Sequence, residues 1–281
     1  PGCGYNAPDS DAIPGKGPLM HANPVRAAVK RGEVQFGTWI NMVRNPAILQ
    51  LLKNAGLDFA RVDMEHSPPS METMADMALV ARAIDFPIVV RPPVANREWI
   101  TRLLDAGVWN IHCPQVDTAE QAAEIVAASR YTPMGSRGMG GATPATEYEP
   151  GGLTDERMAF ANEQVFVTVM LEAKSAFRDL DAIAAMPGID ALTIGPTDLA
   201  QDLGVYGKPE MNRVLDEHRD MVLTAAKKHG KTCAMLTSSA EQTRFWQEQG
   251  VLLLAYSSEV GVLQDGFRRA MKEIRGNDRN K

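Results

Sequence analysis

Three ionisable side chains crowd the end of one apolar run. In FARVDMEHSPPS, Phe59 to Ser70, a strand-like stretch delivers Asp63, Glu65 and His66, and two prolines then stop it. Comparable endings recur along the chain. PIVVR delivers Arg91 ahead of two prolines, VFVTVMLE delivers Glu172, and DALTIGPTD delivers Asp198. QFGTWI brings Trp39, and WNIHCPQ brings His112, Cys113 and Gln115. A histidine with a pKa near ~6.5 suits a base at neutral pH. Glu172 and Asp198, with no accompanying Cys or His, suit a hard divalent cation such as Mg2+ or Mn2+, completed by water and substrate oxygens. Arg91, its direction restricted by the proline after it, could clamp a carboxylate, steady an enolate oxygen, or pair with Asp63 or Glu65.

Other candidates read differently. His112, inside an apolar run, reads as a packed, hydrogen-bonded core histidine. His21, His218 and His229 read as solvated. A Schiff-base lysine must end a barrel strand and lose its water. Lys174 follows Glu172 at the start of a helix and reads as solvated, which favours metal chemistry over imine chemistry. The glycine-rich GSRGMGG (135–141) could cradle an anion with backbone N–H groups, but it lacks the Lys-Ser/Thr ending of a P-loop. Asp105, in LLDAG, reads on its own as a helix-surface residue.

These endings need a scaffold that brings strand tips together. From residue 34, eight strand-like runs (35–40, 57–63, 87–91, 109–114, 165–172, 190–195, 231–236 and 251–257) alternate with eight helical ones, several closed by glycine. The strands are continuously apolar, as when both faces are buried. Alternation of this kind predicts parallel strands with crossover helices. Eight units predict an α/β fold of the (β/α)8 TIM-barrel type, with chemistry at the C-terminal strand ends. A doubly wound sheet would want a glycine-rich turn after the first strand, and NMVRNPA has no glycine. We expect an irregular N-terminal arm over 1–30, one barrel domain over 31–276 and a flexible tail over 277–281. The stretch 131–162 reads as a long functional loop.

The bulk numbers exclude several classes. The chain has 281 residues, 44% of them hydrophobic and 23% charged, with a net charge of −6. No Lys/Arg cluster with interleaved aromatics suggests nucleic acid, no apolar run spans a bilayer, and the first twenty residues do not read as a signal peptide. Three isolated cysteines predict no disulfide framework and a cytoplasmic setting.

The motifs GTWINM, DFARVDMEHSP, IVVRPP, LLDAGVWNIHCPQVDTAEQA, RYTPMGSRGMGG, VMLEAKSAF and GIDALTIGPTDLAQDLG fall in an order that resembles the HpcH/HpaI family of metal-dependent 2-oxo acid aldolases, over about residues 30–275. The resemblance implies a phosphoenolpyruvate/pyruvate-type barrel assembled as a hexamer or trimer, with the last helix exchanged between neighbours. It implies reversible cleavage of a 4-hydroxy-2-oxo acid to pyruvate and an aldehyde, with the pyruvate enolate on a divalent metal held by Glu172 and Asp198. That metal would be Mg2+ or Mn2+, with Co2+ or Zn2+ as alternatives. Arg91 would stabilise the enolate oxygen and His66 would take the hydroxyl proton. Asp105 of a neighbouring subunit would raise the basicity of His66. Asp63 and Glu65 would support the site, and Trp39, Met170, Gly195, Pro196 and Thr197 would contact substrate. Two positions depart from the family pattern: Met170 stands where a substrate-contacting Gln is usual, and Ser258 stands where an acid is expected near the end of strand 8. The same site could alternatively decarboxylate oxaloacetate or form carbon–carbon bonds as macrophomate synthase does, and a non-catalytic oxo-acid-binding barrel is the third reading.

Overall fold

The structure, a computed structural model, describes residues 20–149 and 153–276. The strands are β1 (Gln35–Ile40), β2 (Phe59–Asp63), β3 (Ile88–Arg91), β4 (Asn110–Cys113), β5 (Phe166–Leu171), β6 (Ala191–Ile194), β7 (Thr232–Thr237) and β8 (Leu253–Ser258). They pair in parallel in chain order, and β8 closes on β1. Strands β2 to β6 are buried at every residue, which is why their sequences are apolar without alternation.

The helices are α1 (Pro24–Lys30), α2 (Ala47–Asn54), α3 (Met71–Ala83), α4 (Arg97–Asp105), α5 (Ala119–Ser129), α6 (Asp155–Gln164), α7 (Lys174–Arg178), α8 (Leu180–Ala185), α9 (Pro196–Asp202), α10 (Met211–Lys228), α11 (Ala240–Glu248) and α12 (Glu259–Arg275). Several have a Ser, Thr or Asn N-cap whose side chain accepts from the first turn, as Ser70, Asn96 and Thr118 do. Among the described residues no helix is long and apolar enough to cross a membrane.

Four helical features differ from the sequence expectation. Residues 24–30, expected within the irregular arm, form α1. Asn23 caps this helix, accepting from Val25 and Arg26 N–H, while its Nδ2 donates to Asn110 Oδ1 at 2.7 Å and to the Gln164 carbonyl. Of the rest of the arm, residues 1–19 lie outside the described residues, as does the tail at 277–281. Within the expected 131–162 loop, α6 begins at Thr154, which caps it, with Asp155 and Glu156 in the first turn. The GPTD segment continues into the short helix α9 with Pro196 at its start. The single helix expected after Glu172 breaks into α7 and α8 at Asp179, whose carboxylate accepts from Ala119 N–H at the start of α5.

Alternate residues of each strand climb the barrel interior in layers. At the floor, Val25 of α1 packs with Phe59, Val89, Phe166, Ala191, Ala234 and Leu253, most of them at or next to a strand start. Above Phe59 on β2 comes Arg61, and above Arg61 comes Asp63, at the C-terminal end. Gly37 of β1 faces Phe59 so closely that a Cβ would meet the ring at 2.5 Å. Phe59 is fully buried and has nowhere to retreat. Gly37→Ala is therefore expected to destabilise the barrel by about 1–3 kcal/mol through overpacking. Chemical denaturation checks this, and an unchanged midpoint would contradict the packing argument.

Candidate functional site

The C-terminal strand ends open into a cavity of about 580 Å³ lined by Trp39, Asp63, His66, Arg91, Met170, Glu172 and Asp198 among others. Gly195, Pro196 and Thr197 also line it. Glu65 adjoins it through Arg91.

Asp63 organises the turn that follows β2. Its Oδ1 accepts from Glu65 N–H at 3.0 Å and from Arg91 Nε at 2.8 Å, and its Oδ2 accepts from His66 N–H and the Ser67 hydroxyl. Burial opposes its charge. The hydrogen bond and charge of Arg91, with the turn donors, outweigh burial and hold Asp63 below its ordinary range. Arg91 Nη1 reaches Glu65 Oε2 at 3.0 Å, so one buried guanidinium serves both carboxylates. It also lies 4.7 Å from the Trp39 ring centroid, and its Nη1 is 3.9 Å from Met170 Sδ. Both sequence readings of Arg91 are thus compatible: it pairs with Asp63 and Glu65, and it lines the cavity.

His66 sits at the cavity edge with its side chain 59% exposed and Nε2 3.6 Å from Glu65 Oε2. It can exchange protons with a bound molecule while keeping a carboxylate beside it.

Glu172 follows β5 and is buried, and Asp198 sits in the first turn of α9. The Glu172 pKa is pushed up to about 7, first by burial, then by the adjoining Asp198 carboxylate and the charge of Glu65, against the stabilising Gln115 N–H. Gly195 is required here because a Cβ would collide with Glu172 Oε2. These two carboxylates form an oxygen-only donor pair. Among the described residues no group of three or more His, Cys, Asp or Glu side chains gathers for a metal, so a cation held here would draw its other ligands from water or substrate.

Two sequence candidates behave differently. Asp105 does not reach the cavity of its own chain; its Oδ1 accepts from Arg137 Nη2 at 2.7 Å. Lys174 is exposed and outside the cavity lining.

Several contributors were not singled out as site residues from sequence. Gln115, in the left-handed region at φ 54°, donates its N–H to Glu172 Oε1 and its side-chain amide to Glu65 Oε1, both at 2.9 Å. A polar residue just past a strand tip was the only signal it carried. Buried Glu259 accepts from the N–H groups of Asn41, Met42 and Val43 at 2.6–3.1 Å. An acid therefore does follow β8, one residue beyond Ser258. Asn41, Ser67, Leu236, Thr237, Ser238, Ser257 and Ser258 complete the cavity wall. Beneath it, Arg61 lies 5.1 Å from the Trp39 ring, and its Nε and Nη2 have no hydrogen-bond partner among the described residues. Burial, then the charge of Arg91, lowers its pKa to about 9. His112 is packed edge-on against Trp39 and held neutral by burial and by the charges of Arg61 and Arg91; the packing is as expected, but neither ring nitrogen has the expected hydrogen-bond partner among the described residues.

Comparison with known proteins places this geometry. The family model HpcH/HpaI aldolase/citrate lyase matches residues 35–264. The 5-keto-4-deoxy-D-glucarate aldolase of Klebsiella pneumoniae is 32% identical over 255 residues, covering 90% of this chain and 95% of that one. The 2-keto-3-deoxy-L-rhamnonate aldolase of the same organism is 33% identical, covering 80% and 84%. The crystal structure of an HpcH/HpaI aldolase from Desulfitobacterium hafniense superposes with a TM-score of 0.85 at 29% identity, covering 92% of this chain and 99% of that chain.

The raised pKa of Glu172 has a stability consequence. Below about 4.5 the folded and unfolded chains both carry its proton; between that value and about 7 only the folded chain holds it. The folded state then binds more protons, so the stability contribution of this group falls as pH rises through that window. Denaturation of the metal-free protein across the window should show this fall, and Glu172→Gln should remove it. An identical pH profile in the variant would contradict the assignment.

Proposed function

Since the chain belongs to the HpcH/HpaI aldolase/citrate lyase family and is a lyase of the aldolase type, we propose that it reversibly cleaves a 4-hydroxy-2-oxo acid to pyruvate and an aldehyde. The observation that carries this reading is the adjoining Glu172 and Asp198 carboxylates, facing one cavity with Arg91 and His66. Glu172 and Asp198 would hold a divalent cation: hard oxygen donors without thiolate or imidazole suit Mg2+ or Mn2+ best, with Co2+ or Zn2+ as substitutes. When bound, the cation supplies Lewis acidity toward the 2-oxo acid.

The chain's own residues do the rest. Arg91, fixed by Asp63 and Glu65, stabilises negative charge growing on the keto oxygen. His66 removes the proton from the C4 hydroxyl in cleavage and returns it in addition. Gln115 orients Glu172 and Glu65 through its two donors. Met170, Gly195, Pro196 and Thr197 form the wall against the oxo acid, and Trp39 supports Arg91 from below.

The reading is tested by exchange of pyruvate methyl protons in heavy water, followed by NMR. Exchange is expected with Mg2+ or Mn2+ and is expected to vanish with chelator. Persistence after exhaustive chelation, with borohydride trapping of pyruvate on the enzyme, would replace this mechanism by imine chemistry at a lysine. His66→Ala is expected to lower aldol cleavage by about 10²–10⁴-fold, and unchanged cleavage would remove His66 from its role.

We also place the enzyme in the cytoplasm as a homo-oligomer. The described cysteines, Cys113 and Cys233, are buried free thiols, consistent with a reducing setting. On α12, Leu263, Phe267, Met271 and Ile274 share one face and are 36–72% exposed, an apolar stripe that a second copy would cover, whether or not the helix is exchanged. Asp105, held by Arg137, would be presented to His66 of a neighbouring copy. Light scattering should find a trimer or hexamer, and Phe267→Glu with Ile274→Glu should yield monomer. A monomeric parent protein would overturn this arrangement.

A further inference from the structure

The interior layer beneath the cavity holds a charge that the chain does not balance. Arg61 of β2 is 1% exposed, and among the described residues no carboxylate pairs with it, since Asp63 and Glu65 both face Arg91. Aromatic rings meet it instead. Its Cζ lies 5.1 Å from the Trp39 ring centroid and 5.8 Å from that of Phe59. Attraction to the rings recovers part of the cost of burying the charge. It supplies no acceptor for the N–H groups in the guanidinium plane.

The unmet donors belong together. Arg61 Nε and Nη2 both lack a partner among the described residues. These two atoms share one edge of the guanidinium, and their parallel N–H bonds form a fork suited to an anion. Trp39 Nε1 and both ring nitrogens of His112 lack a partner too. Trp39 touches both neighbours: it stacks with Arg61, and its ring meets His112 edge-on with centroids 5.7 Å apart. A buried indole N–H ordinarily finds an acceptor, and a neutral imidazole brings one N–H of its own. The layer therefore combines an excess of donors with one uncompensated positive charge. Water answers the donors but not the charge.

We propose that the barrel binds a small monovalent anion of the chloride class internally, on the Nε–Nη2 edge of Arg61, with Trp39 Nε1 and His112 beside it. One negative charge balances this one guanidinium, whereas a second would be buried unpaired. The rings of Trp39, Phe59 and His112 border the layer, which favours a monatomic ion over a bulky oxyanion. The site does not depend on the aldolase reading, because neither Arg61 nor His112 lines the cavity above. The ion would also shield Arg91 from the like charge of Arg61 across the indole.

The direct test is crystallography of the full chain, purified with bromide as its only halide and read by anomalous scattering. A bromide peak at hydrogen-bonding distance from Arg61 Nε and Nη2 is expected. Water alone on that edge, or no density there, overturns the proposal. In solution, the thermal midpoint is followed as chloride replaces gluconate, an anion too large for an enclosed site, at constant ionic strength. The protein is refolded in each mixture so that the ion can enter. A saturable rise of about 3 °C or more is expected of a ligand that binds only the folded state. The rise should be the same with and without Mg2+, and a rise confined to the Mg2+-loaded protein would place the anion at the cavity instead. Arg61→Met, which removes the charge and its donors, should abolish the rise. Trp39→Phe, which keeps an aromatic ring and removes the N–H, should raise the chloride concentration needed for half the effect by about tenfold. No rise in the parent protein, or the same rise in Arg61→Met, rejects the site. Should Arg61→Met fail to fold, the bromide position and the Trp39→Phe titration decide the matter.

Discussion

Burying carboxylates beside one another is costly unless a cation or a hydrogen-bond donor faces each of them, and the barrel mouth gathers three whose side chains are largely buried, Asp63, Glu65 and Glu172, with the exposed Asp198 beside them. Asp63 and Glu65 are met by Arg91, and the N–H of Gln115 meets Glu172. The compensation is unequal. Asp63 is held below its ordinary range, whereas burial drives Glu65 and Glu172 upward. The Glu172–Asp198 side of the mouth is therefore where a further positive charge is most favourable. Among the described residues the cavity's one lining guanidinium stands on the other side, so the chain's own positive charge and the most favourable place for a further one face the cavity from different directions. That division of labour follows from which carboxylates the chain neutralises itself.

Much of this was legible along the chain because parallel barrel strands are buried on both faces and read as continuous apolar runs. An ionisable residue at the end of such a run stands out, which is how Asp63, Arg91, Glu172 and Asp198 came forward. What was not legible depends on partners far apart in sequence. Helix α1 is held by Asn23 bonding to Asn110 and to Gln164, and by Val25 packing on the barrel floor. Its local signal, the Asn23 cap followed by Pro24 at the first helical position, stands at the edge of a Pro-rich stretch that reads as irregular. Helix α6 has few apolar residues and shows its start only in the Thr154 cap and the acids after it. Asp105 is bound to Arg137 across 32 residues, a pairing no local pattern reveals. The placements of Gln115 and Ser257 at the cavity go with left-handed backbone conformations that Gln and Ser do not signal as Gly or Asn would.

The middle of the barrel shows how the floor supports the mouth. Arg61 and Arg91 both lie within 5.1 Å of the centroid of the Trp39 ring, and the two cations repel each other. Among the described residues only Arg91 of the two has carboxylates to compensate it, so the stack of Arg61, Trp39 and Arg91 is anchored at its upper end by Asp63 and Glu65. Attraction of each cation to the indole offsets part of the cost of burying Arg61. The neutral His112 edge closes the stack from β4. Removing charge from the upper end would leave two guanidiniums sharing one ring, so the site's carboxylates also serve the stability of the layer beneath.

The same economy joins the β8–β1 wall of the cavity to the outside of the molecule. Helix α12 starts at Glu259, directly after the Ser257–Ser258 bulge, and its buried carboxylate gathers three successive N–H groups of the loop after β1. That loop supplies Asn41 to the cavity wall. The outward face of α12 carries Phe267 and Ile274 in solvent, and Glu259 is its one buried residue among those described. A helix that buries so little of itself is held in place mainly by its first residue and by whatever covers its apolar stripe. Any contact that fixes α12 therefore also fixes Glu259, and through it both Asn41 and the serine bulge. This wall of the cavity is thus tied more closely to this helix than the Glu172–Asp198 pair is, which rests on β5, Gln115 and the turn into α9. Variation in how α12 is packed can alter this wall of the cavity without disturbing the Glu172–Asp198 pair.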